Sequence, residues 1–239
     1  MGVQSQIKGL VRRCAYAGSK RYCPTCDRTA RKFLAFGNPP RPDARCPFCG
    51  SLERHRLAIL FFRQKTEIFE GKVNRFLHIA PEPAFEKLFA PAIGDGYLTA
   101  DLMMNHVMER MDITDIQYPD ASFDAIYCSH VLEHVPEDRK AMREFFRVLR
   151  PTGWAVLNVP ITADTTVEDL SITDPAERLR LYGQHDHVRR YGPDYLARLE
   201  EAGFVVEVYS PGDLLSAPEI ERFGMATGAG EVFFCKKPA

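Results

Sequence analysis

Asp120-Ala121-Ser122-Phe123-Asp124-Ala125-Ile126-Tyr127-Cys128-Ser129-His130-Val131-Leu132-Glu133-His134-Val135 is the stretch on which the fold turns. A polar turn opens it, the apolar run Phe123–Ser129 predicts a buried strand, and a histidine-bearing loop closes it. On the C-terminal side, Pro136–Leu149 has helical periodicity, with Phe145, Phe146, Val148 and Leu149 forming its apolar face. Pro151-Thr152-Gly153 ends that helix, and Trp154–Val159 is the next strand. Further strands are expected at Arg75–Ala80, Tyr97–Ala100, Val205–Tyr209 and Val232–Lys236, with a short one near Met111–Ile113. Further helices are expected at Pro83–Phe89 and Pro193–Ala202. This alternation is that of an α/β domain, a largely parallel sheet with helices on both faces.

The chain has 239 residues, enough for one large domain or a medium domain with a small appendage. With 45% hydrophobic and 26% charged residues, disordered and fibrous classes are excluded. Near the start, the longest apolar run is Leu57–Phe62. A bilayer span needs roughly 20 such residues. Met1–Leu10 lacks the apolar centre of a signal peptide, so a cytoplasmic protein without membrane attachment is expected. Residues 1–70 hold 14 Lys and Arg against 5 Asp and Glu, whereas residues 71–239 hold 17 against 27. The asymmetry implies two bodies, 1–70 and 71–239. The basic one either meets an anionic partner or docks on its acidic neighbour.

Five of the seven cysteines lie in the first 49 residues. Cys23, Cys26, Cys46 and Cys49 form two C-x-x-C pairs at a spacing suited to a four-thiolate zinc site. Pro24 and Pro47 stiffen the two turns, and Gly50 follows the second. Cys46-Pro47-Phe48-Cys49 also has the form of a redox pair, but such a pair follows a buried strand, and Asn38–Arg45 is proline-rich and polar. A disulfide framework would require an oxidising compartment. Cys128 and Cys235 fall in apolar runs and are expected in the core. Ser51 is the expected N-cap of a helix over Arg54–Gln64 that packs the metal module onto the rest, with Arg54, His55 and Arg56 solvated or packed.

The stretch Asp120–Val135 resembles the fourth strand and following loop of class I S-adenosylmethionine-dependent methyltransferases, of the methyltransferase type 11 kind. Glu144-Phe145-Phe146-Arg147-Val148-Leu149-Arg150-Pro151-Thr152-Gly153 is similar to that family's helix-to-strand passage. So are His187-Val188-Arg189-Arg190-Tyr191 and Glu201-Ala202-Gly203-Phe204 to later segments, and the resemblance runs from about Asn74 to Lys237. It implies a Rossmann-like sheet of seven strands whose last strand is antiparallel, here preceded by a small zinc-ribbon module.

In such a sheet the ligand lies beyond the carboxyl ends of the strands, where the strand order reverses. Asp101, ending the second strand and 19 residues after Glu82, is the expected acceptor for the ribose hydroxyls of S-adenosylmethionine. The resemblance implies that Asp112 receives the adenine amino group and that Ile113 packs on its ring. It brings His78, Ala80, Glu82, Leu102 and Ser129 to the cofactor as well. The first loop, Leu77-His78-Ile79-Ala80-Pro81-Glu82-Pro83, departs from the family in having no glycine. That departure leaves a non-catalytic scaffold with a degenerate cofactor site as an alternative to an enzyme.

The methyl of a sulfonium is already activated, so the protein must align the acceptor and exclude water, with a base near neutrality if the acceptor carries a proton. His130, His134 and His187 are the candidates, with Asp186 able to orient a ring. Arg189, two residues from His187, either holds an acceptor's anion or pairs with an acid and locks the insertion Ile161–Tyr191. The expected acceptor is a small metabolite or glycan-type molecule lying between Ser129–His134, His185–Tyr191 and the ribbon. The alternative is RNA held by the basic ribbon. Against RNA, no basic and aromatic residues interleave as a stacking platform.

Overall fold

The run Phe123–Ser129 is a strand in the computed structural model, which describes residues 11–239. It is the fourth of seven strands that form one sheet: β1 Phe76–Ile79, β2 Tyr97–Asp101, β3 Glu109–Arg110, β4 Phe123–Ser129, β5 Leu149–Asn158, β6 Val205–Tyr209 and β7 Val232–Lys236. The spatial order is β6-β7-β5-β4-β1-β2-β3. β1 pairs in parallel with β2 and β4, β2 with β3 and β4 with β5, whereas β7 runs antiparallel to β5. This is the mixed seven-stranded sheet that the resemblance implied. Strand order reverses between β1 and β4, the switch point at which open α/β sheets take their ligands.

One sheet face carries Leu77, Ile79, Ile126, Cys128, Ala155 and Leu157. Helix Asp138–Val148 covers it with Met142, Phe145 and Val148, and helix Tyr195–Glu201 with Tyr195 and Leu199. On the other face the inward residues are rings, Phe76 against Phe89 at 5.1 Å and His78 against Tyr127 at 5.1 Å. Alternation of period two thus sorts aliphatic and aromatic side chains to opposite sides of the same strands.

Several boundaries differ from the sequence reading. β5 begins at Leu149, not Trp154, because Leu149 pairs with Phe123 across an irregularity and Arg150 forms an ion pair with Asp124. β3 is Glu109–Arg110, since these residues pair with Ala100 and Asp101, and Met111 and Ile113 turn into the core instead. The insertion contains a helix, Pro175–Tyr182. Its signals were in the sequence: Asp174 accepts from the Glu177 amide, Pro175 opens the first turn, and Gly183 at φ 84° closes the helix. Among the described residues, no helix is long and apolar enough to cross a membrane.

The chain divides into two compact units. The sheet unit comprises Glu70–Glu82, Phe89–Val208 and Phe233–Ala239. The other gathers the described residues up to Phe69 with Pro83–Leu88 and Tyr209–Val232. In it, the hairpin Arg21–Cys23 with Arg28–Ala30 is followed by a second, Leu34–Phe36 with Arg41–Arg45, and then by helix Glu53–Lys65. Arg56 ties this unit together: it is fully buried, donates to the carbonyls of Ala44, Ser51 and Gly224, and lies over the Phe33 ring at 4.7 Å. Ser51 is not the helix cap. The Leu52 amide is satisfied by His55 Nδ1 at 3.1 Å, and Ser51 Oγ faces sulfur instead.

The entry to β2 passes so close to the chain before β1 that a Cβ on Gly96 would stand 1.6 Å from the carbonyl oxygen of Asn74. Gly96→Ala is therefore expected to lower stability by about 1–3 kcal/mol through forced separation of two backbones. Urea unfolding checks this, and an unchanged midpoint would contradict the packing.

Candidate active site

The parallel register sets the site. Ile79 is opposite both Ala100 and Cys128, so Ala80, Asp101 and Ser129 arrive together at the carboxyl edge. There, Ala80 at φ 48° and His130 at φ 58° take the left-handed conformation as the chain leaves β1 and β4. A non-glycine residue seldom adopts it. Ala80 thus makes, without glycine, the sharp turn after the first strand, and its small side chain leaves the edge open. A cavity of 640 Å³ lies beyond. Small-molecule sites occupy roughly 300–1,000 Å³.

Of the residues singled out from sequence, Ala80, Asp101, Leu102, Asp112, Ile113, His130 and His134 line this cavity. Asp101 accepts from the amides of Met103 and Met104 at 2.6 and 2.7 Å, both through Oδ1. Asp112 uses Oδ1 to hold Thr114, whose amide and hydroxyl each lie at 2.8 Å. Each carboxylate is thus anchored through one oxygen, and Oδ2 takes no part in those bonds. Ser129, His78, Glu82 and His187 are not among the lining residues. His78 is buried within β1, its Nδ1 2.7 Å from the Tyr97 hydroxyl and its Nε2 3.3 Å from Glu82. Met103, Met104, Val135 and Glu137 also line the cavity and escaped the sequence reading. The methionines carried no motif, and only the turn held by Asp101 brings them to the edge.

On the wall formed by the loop after β4, Ser129 Oγ lies 3.2 Å from His130 Nδ1, and His134 Nδ1 pairs with Asp186 Oδ2 at 3.3 Å. His187 stands edge-on to His134, with ring centroids 4.6 Å apart. Burial, reinforced by the charge of His134, lowers its pKa and favours the neutral ring.

Arg189 is committed to structure. It donates to the carbonyls of Leu132 and Pro136 at 2.8 Å each and pairs with Glu168 at 2.8 Å. Arg198 joins Glu168 to Asp138 at 2.8 Å on each side, and the Tyr191 hydroxyl donates to Asp138 at 2.7 Å. Of the two readings of Arg189, the locking one holds. Glu168 is held down at about 2; burial alone would raise it, but hydrogen bonds from Arg198 and Arg189 reverse that.

In the other unit, Cys23, Cys26, Cys46 and Cys49 bring four sulfurs within 4.8 Å of one another. Cys23 and Cys49 are 3.6 Å apart and Cys26 and Cys46 3.8 Å, each contact joining one C-x-x-C pair to the other. A disulfide would measure about 2.05 Å. Four sulfurs at about 2.3 Å from one tetrahedral ion would stand about 3.8 Å apart. Ser51 Oγ lies 3.1 Å from both Cys23 and Cys49, and the Phe48 amide donates to Cys46 at 3.4 Å. Hydrogen bonds from the neighbouring sulfurs of Cys26, Cys46 and Cys49 pull the Cys23 thiol well below its ordinary range.

The seven-stranded mixed sheet with a cavity at its carboxyl edge is a fold shared with class I methyltransferases of known structure. Residues 93–157 match the family described as methyltransferase domain. A 27-O-demethylrifamycin SV methyltransferase of Amycolatopsis mediterranei is 34% identical over 112 residues, covering 45% of this chain and 39% of that protein. A demethylmenaquinone methyltransferase of Deinococcus radiodurans is 31% identical over 128 residues, with coverage of 50% and 46%. The chain thus spans under half the length of the curated relatives it matches. Among solved structures, an S-adenosylmethionine-dependent methyltransferase from Mesorhizobium loti has a TM-score of 0.50 at 16% identity, covering 75% of this chain and 96% of that one. The cyclase SpnF has a TM-score of 0.50 at 17% identity, covering 77% and 81%. At these identities the two structures share the fold.

The clamp beneath the cavity loop has a pH signature. A carboxylate whose folded pKa is depressed to about 2 from 4.5 stabilises the protein fully above its unfolded value, and that stabilisation fades as pH falls towards 2. Wild type should therefore exceed Glu168→Gln in stability by a constant margin above about pH 5, and the margin should shrink between about pH 4.5 and 2. Urea unfolding across that range checks it; a margin independent of pH would contradict the clamp.

Proposed function

We propose that this protein transfers a methyl group from S-adenosylmethionine to a small metabolite or glycan-type acceptor within the carboxyl-edge cavity. The observation that carries the reading is the convergence of Ala80, Asp101, Asp112, Ile113 and His130 on one cavity at the strand-order switch. The residues fit the cofactor. Asp101 ends β2 with Oδ2 left for the ribose hydroxyls, Asp112 and Ile113 offer a carboxylate and an apolar face to the adenine, and Ala80 leaves room beside β1. His78, 2.7 Å from the Tyr97 hydroxyl, lies 3.3 Å from Glu82 in the first loop, where that carboxylate is offered to the cofactor's amino-acid end. When bound, S-adenosylmethionine supplies a methyl group already activated on sulfur. The chain's part is to hold the acceptor in line and to take up its proton. His130 is suited to that, since it lines the cavity with its Nδ1 3.2 Å from Ser129 Oγ.

A small acceptor is favoured over RNA by the size of the cavity. The names of the two curated relatives, which act on a rifamycin and on a demethylmenaquinone, support it too. The basic residues of 1–70 are in part consumed internally: Arg56 is buried, Arg21 pairs with Asp43 and Arg41 with Glu53.

The same reading gives the chain two parts, a zinc-ribbon module over 1–70 and a methyltransferase domain over 71–239. A structural zinc ion suits Cys23, Cys26, Cys46 and Cys49, because the sulfur spacing between pairs is that of a tetrahedral edge.

Two measurements check this. Asp101→Asn keeps an oxygen for the Met103 and Met104 amides but removes the charge, and should weaken S-adenosylhomocysteine binding about tenfold to a hundredfold by calorimetry. Unchanged affinity would remove Asp101 from the cofactor site. Elemental analysis should find one zinc per chain, lost in Cys26→Ser; full zinc in that variant would overturn the ligand set.

A further inference from the structure

A second group, which meets the cavity wall at His134, has the composition of a metal site. Glu133, His134 and His187 each offer a ligand atom, all within 4.8 Å of one another. Glu133 is 1% exposed and His187 5% exposed. His187 Nε2 is a buried nitrogen with no hydrogen-bond partner among the described residues. His134 has Nδ1 paired with Asp186 at 3.3 Å. A carboxylate on one ring nitrogen is the outer partner that fixes a metal-binding histidine in tautomer and direction.

We propose that Glu133, His134 and His187 bind one divalent transition-metal ion at the acceptor side of the cavity. Two imidazoles and a carboxylate form a set that takes zinc or ferrous iron and leaves coordination positions open. Of the three, His134 lines the cavity, which would put the ion within reach of a ligand there. The ligand it would take is an acceptor bearing oxygen donors, such as adjacent hydroxyl or keto groups, held beside the cofactor. This part rests on the reading of the cavity as the site of methyl transfer; the ion's binding does not. With His134 as a ligand, proton uptake falls to His130.

The test uses the purified protein with its zinc retained, dialysed against Co²⁺ and then washed. Metal counting should find cobalt bound in addition to the zinc, with weak visible bands and no thiolate-to-cobalt charge transfer. His187→Ala should lose that cobalt, keep its zinc and bind S-adenosylhomocysteine within about twofold of wild type. If His187→Ala fails to fold, Glu133→Gln serves, with at least a tenfold weaker cobalt affinity expected. Wild type taking up no cobalt beyond the thiolate site would overturn the proposal, as would equal uptake by wild type and the folded variants. Cobalt uptake by a protein that does not bind S-adenosylhomocysteine would overturn the methyltransferase reading and leave the metal site standing.

Discussion

The hydrogen-bonded register of β1 between β2 and β4 is the constraint on which the rest of the sheet unit depends. It sets Ile79 level with Ala100 and Cys128, and the next residue of each strand emerges at one edge. Since side chains alternate across a strand, a slip of β1 by one residue would send Leu77 and Ile79 out of the aliphatic core and move Ala80 out of level with Asp101 and Ser129. Core packing and site geometry are thus fixed by the same ladder. The aromatic face contributes to both: His78 reaches Tyr97 on β2 and Glu82 in the first loop from within the sheet.

Beyond that edge, the cavity wall is held by charge. Glu168, Arg198, Asp138 and Arg189 form a chain of ion pairs, and Arg189 spends its remaining donors on the carbonyls of the loop that bears His134. Such a half-buried network gives little net stability against an apolar alternative, but it specifies one loop conformation, as the removal of either partner would strand a buried charge. The loop that bears His134 is thereby held on both sides of that histidine, at Leu132 and Pro136.

Much of this was legible in the sequence. The apolar run Phe123–Ser129 and the amphipathic stretch after it defined a βα unit, and the position of Asp101 followed from strand ends. The two C-x-x-C pairs foretold the sulfur cluster because the motif is local on each side. What was not legible depended on distant partners. Arg189 could be assigned only once Glu168 and the Leu132 carbonyl were seen beside it. Ser51 looked like a helix cap because the local pattern permits one, but the sulfurs of Cys23 and Cys49 claim its hydroxyl. The group of Glu133, His134 and His187 joins residues over 50 positions apart, which no spacing rule connects.

The central claim is that the carboxyl edge of β1, β2 and β4 is a cofactor site despite a first loop without glycine. A crystal structure grown with S-adenosylhomocysteine tests it most directly. The account predicts the ribose hydroxyls on Asp101, the adenine against Ile113 beside Asp112, and the sulfur facing the loop that carries His130 and His134. An empty edge at saturating ligand, or the ligand bound elsewhere on the chain, would contradict it.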